Sequence, residues 1–304
     1  MPVTERQLEA LRREYESTYV LPTGPRHLAG PGDPRHITHA LLAAGWTLTS
    51  DPAHLEVELT GPDRHFGLRL DSTAWTLRTQ HGGHRYASFS RSTPVEILAG
   101  LTDTLLTPAP ADTEAAGVTG TWNFLQRAGW TVTPGEFLVL RQATSPDRRI
   151  AVGLVQPAED VPDHRYWTIR ALKSALPPDG SVYGGSAVWD GQLSKGTSAD
   201  AMTGFLTALT STEPLWRPWS QTNWTPNPPE SDRQIGAVVA TAHEQRVKHI
   251  AARVRAARRK PPRRRPALPC PELPFGPRPM TPENLSVPHT LTPHVLTAAR
   301  AARR

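Results

Sequence analysis

The densest chemistry in this chain is a run of cations. Between Arg246 and Arg265 lie ten basic side chains (Arg246, Lys248, Arg253, Arg255, Arg258, Arg259, Lys260, Arg263, Arg264 and Arg265) and no acid. Such a run neutralises phosphates and releases their counterions, an attraction that ignores base sequence and weakens steeply with salt. DNA or RNA is therefore one expected partner; another protein with an anionic surface, or a solvated extension without a partner, are the alternatives. The net charge of +6 conceals the asymmetry. Residues 246–304 carry 14 Arg and Lys against Glu272 and Glu283, a net of +12, while the rest of the chain has 20 basic and 26 acidic side chains, a net of −6.

Other reactive residue types are sparse. Asp63 and Asp147 occupy matching Pro-Asp turns, and a symmetric arrangement that brought them together would give an acid and base pair. Turn formation already accounts for both. His36 and His39 are three apart and His81 and His84 flank Gly82-Gly83, but two histidines do not complete a metal site. They are expected to be solvated surface residues, with no metal and no cofactor. Cys270 is the single cysteine, which excludes an intrachain disulfide, and its proline-rich surroundings do not favour a thiolate. No nucleophile elbow, Walker loop or Rossmann glycine pattern is present in the required context. The reading is a non-enzymatic binding or scaffolding protein. An enzyme with a site between two repeats and a purely structural interaction module stay open beside it.

The elements that must position these residues come twice. Ala44-Gly45-Trp46-Thr47 recurs as Ala128-Gly129-Trp130-Thr131, and Gly61-Pro62-Asp63-Arg64 recurs as Ser145-Pro146-Asp147-Arg148 at the same offset. Trp75 is echoed by Trp167, and Leu98-Ala99-Gly100-Leu101-Thr102 by Met202-Thr203-Gly204-Phe205-Leu206. The expected fold is α+β: two tandem repeats, 27–110 and 111–213, each a helix, an antiparallel meander of four to five strands and a closing helix, packed as a pseudo-symmetric pair. Around them lie an amphipathic helix and linker (1–26), a Trp/Pro-rich strap (214–230), a basic amphipathic helix (231–260) and a largely irregular Pro/Arg-rich tail (261–304).

Within this frame, Thr4 and Gln7 form a capping-box pattern ahead of Leu8, Leu11 and Tyr15, a helix expected to dock on the repeats. Asp33-Pro34 caps a helix that ends at Gly45. Leu55, Val57 and Leu59, then Phe66, Leu68 and Leu70, alternate with polar residues as half-buried strands. Thr93-Pro94-Val95-Glu96 reads as cap, first turn and capping box of the closing helix, and Thr197-Ser198 is its counterpart. Repeat two carries longer loops at Gln156–Arg165 and Lys173–Gly185. Trp216, Trp219 and Trp224 are expected to pack against the repeats. In the basic helix Ile235, Val238, Val239, Ala242, Ile250 and Val254 are assigned to the apolar face. No run of eighteen apolar residues exists and the amino terminus is polar, so no membrane contact and a cytoplasmic location are expected.

The Ala-Gly-Trp landmark, Ser145-Pro146-Asp147 and the helix opened by Thr93-Pro94-Val95-Glu96 together resemble the SPDY domain, a family of unknown function found mainly in Streptomyces and related actinobacteria, often in two copies. The resemblance spans roughly residues 27–215. The tyrosine of the motif that gives the family its name is replaced by Arg148, and the first copy has Gly61 and Arg64 at the outer positions. The resemblance implies the architecture above and brings no catalytic residues.

Overall fold

Local bonds start the first helix. In α1 (Glu5–Glu16) Thr4 Oγ1 accepts from Gln7 N at 3.3 Å and Gln7 Oε1 accepts from Thr4 N at 2.8 Å, the reciprocal capping box. In the computed structural model residues 3–51, 55–79, 85–106, 114–135, 138–156, 165–176, 186–221 and 233–259 are described. All of them belong to one compact unit, Met1–Pro261. The tail 261–304 with Arg263, Arg264, Arg265 and Cys270, together with Lys260, Trp224, the His81–His84 turn and the centres of both long loops, lies outside the described residues.

After α1 come β1 (Tyr19–Thr23), α2 (Arg35–Ala43), β2 (Thr47–Leu48), β3 (Val57–Thr60), β4 (Phe66–Leu70), β5 (Ala74–Thr79), β6 (Arg85–Ser90) and α3 (Val95–Thr102). The chain continues with α4 (Glu114–Arg127), β7 (Thr131–Pro134), β8 (Val139–Thr144), β9 (Ile150–Val155), β10 (Tyr166–Leu172), β11 (Ala187–Ser194) and α5 (Ala199–Thr210). It closes with β12 (Leu215–Pro218), β13 (Gln234–Ile235) and α6 (Ala237–Arg259). The fold is α+β. No helix among the described residues is long and apolar enough to cross a membrane.

Ten strands form one antiparallel sheet in the order β2-β3-β4-β5-β6-β11-β10-β9-β8-β7. Its centre is the β6–β11 pair, where Ala87 faces Leu193 and Phe89 faces Gly191. A side chain at Gly191 would run into the Phe89 ring, so the glycine permits this pairing. Alternate strand positions, such as Trp75 and Leu77 on β5 and Trp167 and Ile169 on β10, share one core with Ile37, Leu98, Leu125 and Phe205 of α2 to α5. Over the middle of the sheet α3 packs on α5. They meet at Gly100 and Gly204, where a Cβ on either would strike the carbonyl oxygen of the other.

Helix ends and hairpins follow their sequence signals closely. α2 ends with Gly45 at φ +95, Gly45 N donating to Leu42 O and Trp46 N to Leu41 O, both at 3.0 Å. α4 ends in the same way at Gly129, φ +82, with Gly129 N to Gln126 O and Trp130 N to Leu125 O at 3.0 Å. Both are Schellman turns, and the left-handed residue explains each glycine. In the two Pro-Asp hairpins Arg64 and Arg148 take φ +54 and +58, and each amide donates 2.9 Å to the first turn residue, Gly61 O and Ser145 O.

Several expectations are corrected. Thr93 does not cap α3: Pro94 is at the cap without a side-chain bond, Thr93 is buried with its amide donating to Ser90 O, and Glu96 pairs with Arg217. In contrast Ser198 Oγ accepts from Ala201 N at 3.2 Å and does cap α5. Leu55 precedes β3 and is fully exposed. The 1–26 and 214–230 segments are more than linker and strap, because β1 pairs with β12 and β13 in a second, three-stranded sheet. This sheet and α1 pack with α6 around Leu11, Tyr15, Val20, Ala240 and Trp216, so α1 docks on the terminal helix; Trp219 is exposed. Finally, the buried face of α6 is Ala240, His243, Val247, Ile250 and Val254, while Ala242 is exposed and Val238 and Ile235 are 40% and 56% exposed. Ile250 and Val254 lie on the stripe as expected, while its first half includes a histidine that a count of apolar residues passes over.

Candidate functional site

Helix α6 collects most of the chemistry because its buried stripe crosses α2 and its polar flanks reach both α3 and the Pro62-Asp63 hairpin. His243 on that stripe meets His39 of α2, Nε2 to Nδ1, at 3.1 Å, and its ring centre lies 6.2 Å from that of His36. One imidazole must donate and the other accept, so the pair shares a single proton between its facing nitrogens. Burial pushes His36 down to about 4 and, reinforced by the neighbouring histidines, His243 down to about 3. Burial and then the charge of Arg35 lower His39. The expectation of solvated surface histidines is thus overturned: His39 is buried and His36 half-buried. Among the described residues no three His, Cys, Asp or Glu side chains are grouped so as to hold a metal ion.

Beside this cluster an open depression of about 870 Å³ runs over α3 and α5, floored by Gly100 and Gly204. Three of its four carboxylates are paired with arginines. Asp103 takes both terminal nitrogens of Arg246 at 2.7 and 2.8 Å, and Glu213 faces Arg26 at 3.3 Å. Glu96 forms a two-pronged pair with Arg217, whose side chain is 3% exposed and also donates to Ala29 O at 3.1 Å. Burial alone would raise the Glu96 carboxyl, but the charge and hydrogen bonds of Arg217 outweigh it and bring it to about 2.

The two Pro-Asp turns are not brought together. Four strands separate the β3–β4 hairpin from the β8–β9 hairpin, so the acid and base pair that a symmetric arrangement of Asp63 and Asp147 would have allowed does not form, and the two aspartates are left to their turns. Their surroundings also differ. Asp147 accepts from Ser145 Oγ at 2.6 Å, and its Oδ2 lies 3.0 Å from Nε2 of buried His27. Burial would raise its carboxyl, yet His27 and Ser145 hold it well below the usual range. The backbone carbonyl of His27 in turn accepts from Trp189 Nε1 at 2.8 Å, which anchors the N-terminal segment over this side of the sheet. Asp63 is exposed and accepts from its own turn, His65 N to Oδ1 at 3.0 Å. It borders a cleft of about 1070 Å³ walled by Trp46, Phe66, Tyr86 and Val254, with Arg258 at its edge.

The cations of α6 divide by direction. Arg246 and Arg253 turn inward to Asp103, the latter through the Asp103 carbonyl at 2.7 Å, and Arg258 donates 3.2 Å to Ala44 O. Lys248 pairs with Glu244 at 2.6 Å. Arg255 and Arg259 are exposed and have no carboxylate partner among the described residues; Arg255 bonds only Ala251 O of its own helix, at 3.1 Å. The structural landmarks Gly45, Trp46, Trp75, Gly129, Trp130 and Trp167 terminate helices or fill the core, and Pro62 and Pro146 shape the turns.

Sequence reasoning missed His27, Arg217 and His243. Each acts on a partner far away in the chain, so no local spacing announces it. Only His243 left a trace, through its helical spacing to Val247, Ile250 and Val254.

Residues 49–111 match the model of the SPDY domain, a domain of unknown function (DUF317). That stretch runs from the end of β2 past α3 and so includes Asp63, Phe66, Tyr86, Glu96 and Asp103. No curated protein matches the chain. No solved structure matches it either.

Proposed function

We propose that the chain is a cytoplasmic, non-enzymatic binding or scaffolding protein, made of two copies of one α+β unit (27–110 and 111–213) arranged as a pseudo-symmetric pair, whose basic C-terminal segment contacts an anionic partner such as DNA or RNA. Three correspondences support the duplication: the paired Schellman turns at Gly45 and Gly129, the paired left-handed arginines Arg64 and Arg148, and the reciprocal approach of Gly100 and Gly204. The join between the copies is packed and apolar, with the Phe89 and Phe205 rings 5.4 Å apart. The depression that crosses this join over α3 and α5 has Glu96, Asp103 and Glu213 already paired with arginines, which favours binding over catalysis.

The observation that carries the functional reading is the outward pair Arg255 and Arg259, exposed at the end of α6 and followed directly in sequence by Lys260, Arg263, Arg264 and Arg265. Cations with no carboxylate partner among the described residues keep their attraction for phosphates. The test is a titration of the full chain, and of a variant with these six residues changed to Gln, against single- and double-stranded oligonucleotides at several salt concentrations. The expected result is at least a tenfold loss of affinity at low salt, about 50 mM, and a shallower salt dependence in the variant. Equal binding by the two proteins rejects the assignment. Substitution is preferable to deleting from residue 246 onward, because that deletion also strips Val247, Ile250 and Val254 from the core.

A further inference from the structure

We infer that the cleft beside Asp63 is a binding site for a small nitrogen heteroaromatic that carries an anionic group, the chemical class that includes nucleoside monophosphates. This goes beyond the reading above and does not depend on it. The cleft holds about 1070 Å³, at the upper end of what small-molecule sites occupy, roughly 300–1,000 Å³. Its wall is aromatic: the Phe66 ring meets Tyr86 edge-on at 5.1 Å and His65 edge-on at 4.7 Å, with Trp46 buried behind. Such a wall takes a flat ring by stacking or edge contact.

Two polar groups fix what the ring must carry. Arg258 has five N–H donors and uses one hydrogen bond, from Nη2 to Ala44 O; it has no carboxylate partner among the described residues. Its guanidinium lies against the Gly45 turn, where a Cβ would come within 2.8 Å of Nη2, so the α2 terminus positions it at the edge of the cleft. A guanidinium so placed suits a phosphate or carboxylate. Asp63 supplies the opposite demand. Its Oδ1 is held by His65 N, and Oδ2 has no partner among the described residues. In the other hairpin the corresponding oxygen, Asp147 Oδ2, faces the ring nitrogen of His27. The same turn therefore offers a carboxylate oxygen to a heteroaromatic ring nitrogen on one side of the molecule and to an open cleft on the other.

The experiment is calorimetry on the full chain with AMP, CMP, GMP, UMP and orotate, each carrying an N–H donor for Asp63 and an anionic group for Arg258, as probes, and with adenosine and inorganic phosphate as the two halves of a ligand. At least one heteroaromatic anion is expected to bind with a Kd below about 1 mM, and adenosine and phosphate at least about tenfold more weakly. Arg258→Ala should weaken binding about tenfold, Asp63→Asn should weaken it several-fold, and Arg13→Ala, a surface control on α1, should leave it unchanged. The inference is overturned if none of the five probes binds, if phosphate alone binds as tightly as the nucleotides, or if Arg258→Ala and Asp63→Asn both bind like the control.

Discussion

The hairpins at Asp63 and Asp147 share a turn and a backbone geometry, yet one carboxylate is paired with a buried histidine and the other faces an open cleft. The difference comes from what arrives from elsewhere in the chain. At Asp147 the N-terminal segment delivers His27, held by Trp189. At Asp63 the covering element is the end of α6, which contributes Val254, Ala257 and Arg258 but leaves a cavity. The Asp147 carboxylate is tied to a histidine, while that of Asp63 bonds only within its own turn among the described residues.

Removing the anchors should break this contrast most visibly. Trp189 is 1% exposed and ties down His27, so Trp189→Ala should cost about 3–5 kcal/mol in urea unfolding. Tyr86, on the wall of the other cleft, accepts a 3.3 Å bond from Ser198 N through its hydroxyl, which also meets the Ser198 and Thr197 side chains, and Tyr86→Phe should cost about 1–2 kcal/mol. Comparable losses in the two variants would mean that both sides are equally closed.

Acid should separate the regions next. His36 and His243 titrate in the fold at about 4 and about 3, below their ordinary 6.5. The unfolded chain therefore binds protons first, and stability is complete above about pH 6.5 and falls as the pH drops toward 4 and 3. The depressed carboxyl of Glu96 acts in the same sense lower down, from its ordinary 4.5 to about 2. Asp147 contributes only below its ordinary 3.8. Hydrogen exchange across this range should show the α2–α6 contact loosening before the Asp147 hairpin; the reverse order would mean that the histidines are solvated.

The smallest effect should be the same on both sides. Arg64 and Arg148 are left-handed at φ +54 and +58, and replacing either by Gly should stabilise by up to about 1 kcal/mol. A gain at one hairpin alone would show that their backbones are less alike than their bonds.

Much of the fold was legible because its signals are local. The Thr4 capping box, the glycine helix ends and the Pro-Asp turns each close within a few residues, so residue type and spacing suffice to identify them. Thr93 shows the limit of that logic. The pattern Thr-Pro-Val-Glu satisfies the capping rule, but Arg217 competes for Glu96 and a charged hydrogen bond is worth more than a cap. The second sheet was hidden for a related reason, since β1, β12 and β13 are two to five residues long and come from opposite ends of the chain. Of the candidate site, the cations of α6 were visible in sequence, but not which of them turn inward.

Sequence alone determined the helix ends, the turns and the concentration of positive charge, because those depend on neighbours along the chain. Tertiary structure alone decided that Asp147 meets a histidine and Asp63 a cleft, that three histidines lie together, and that Arg258 borders a cavity. Each of these depends on a partner that only folding brings near, and the burial that follows sets its chemistry.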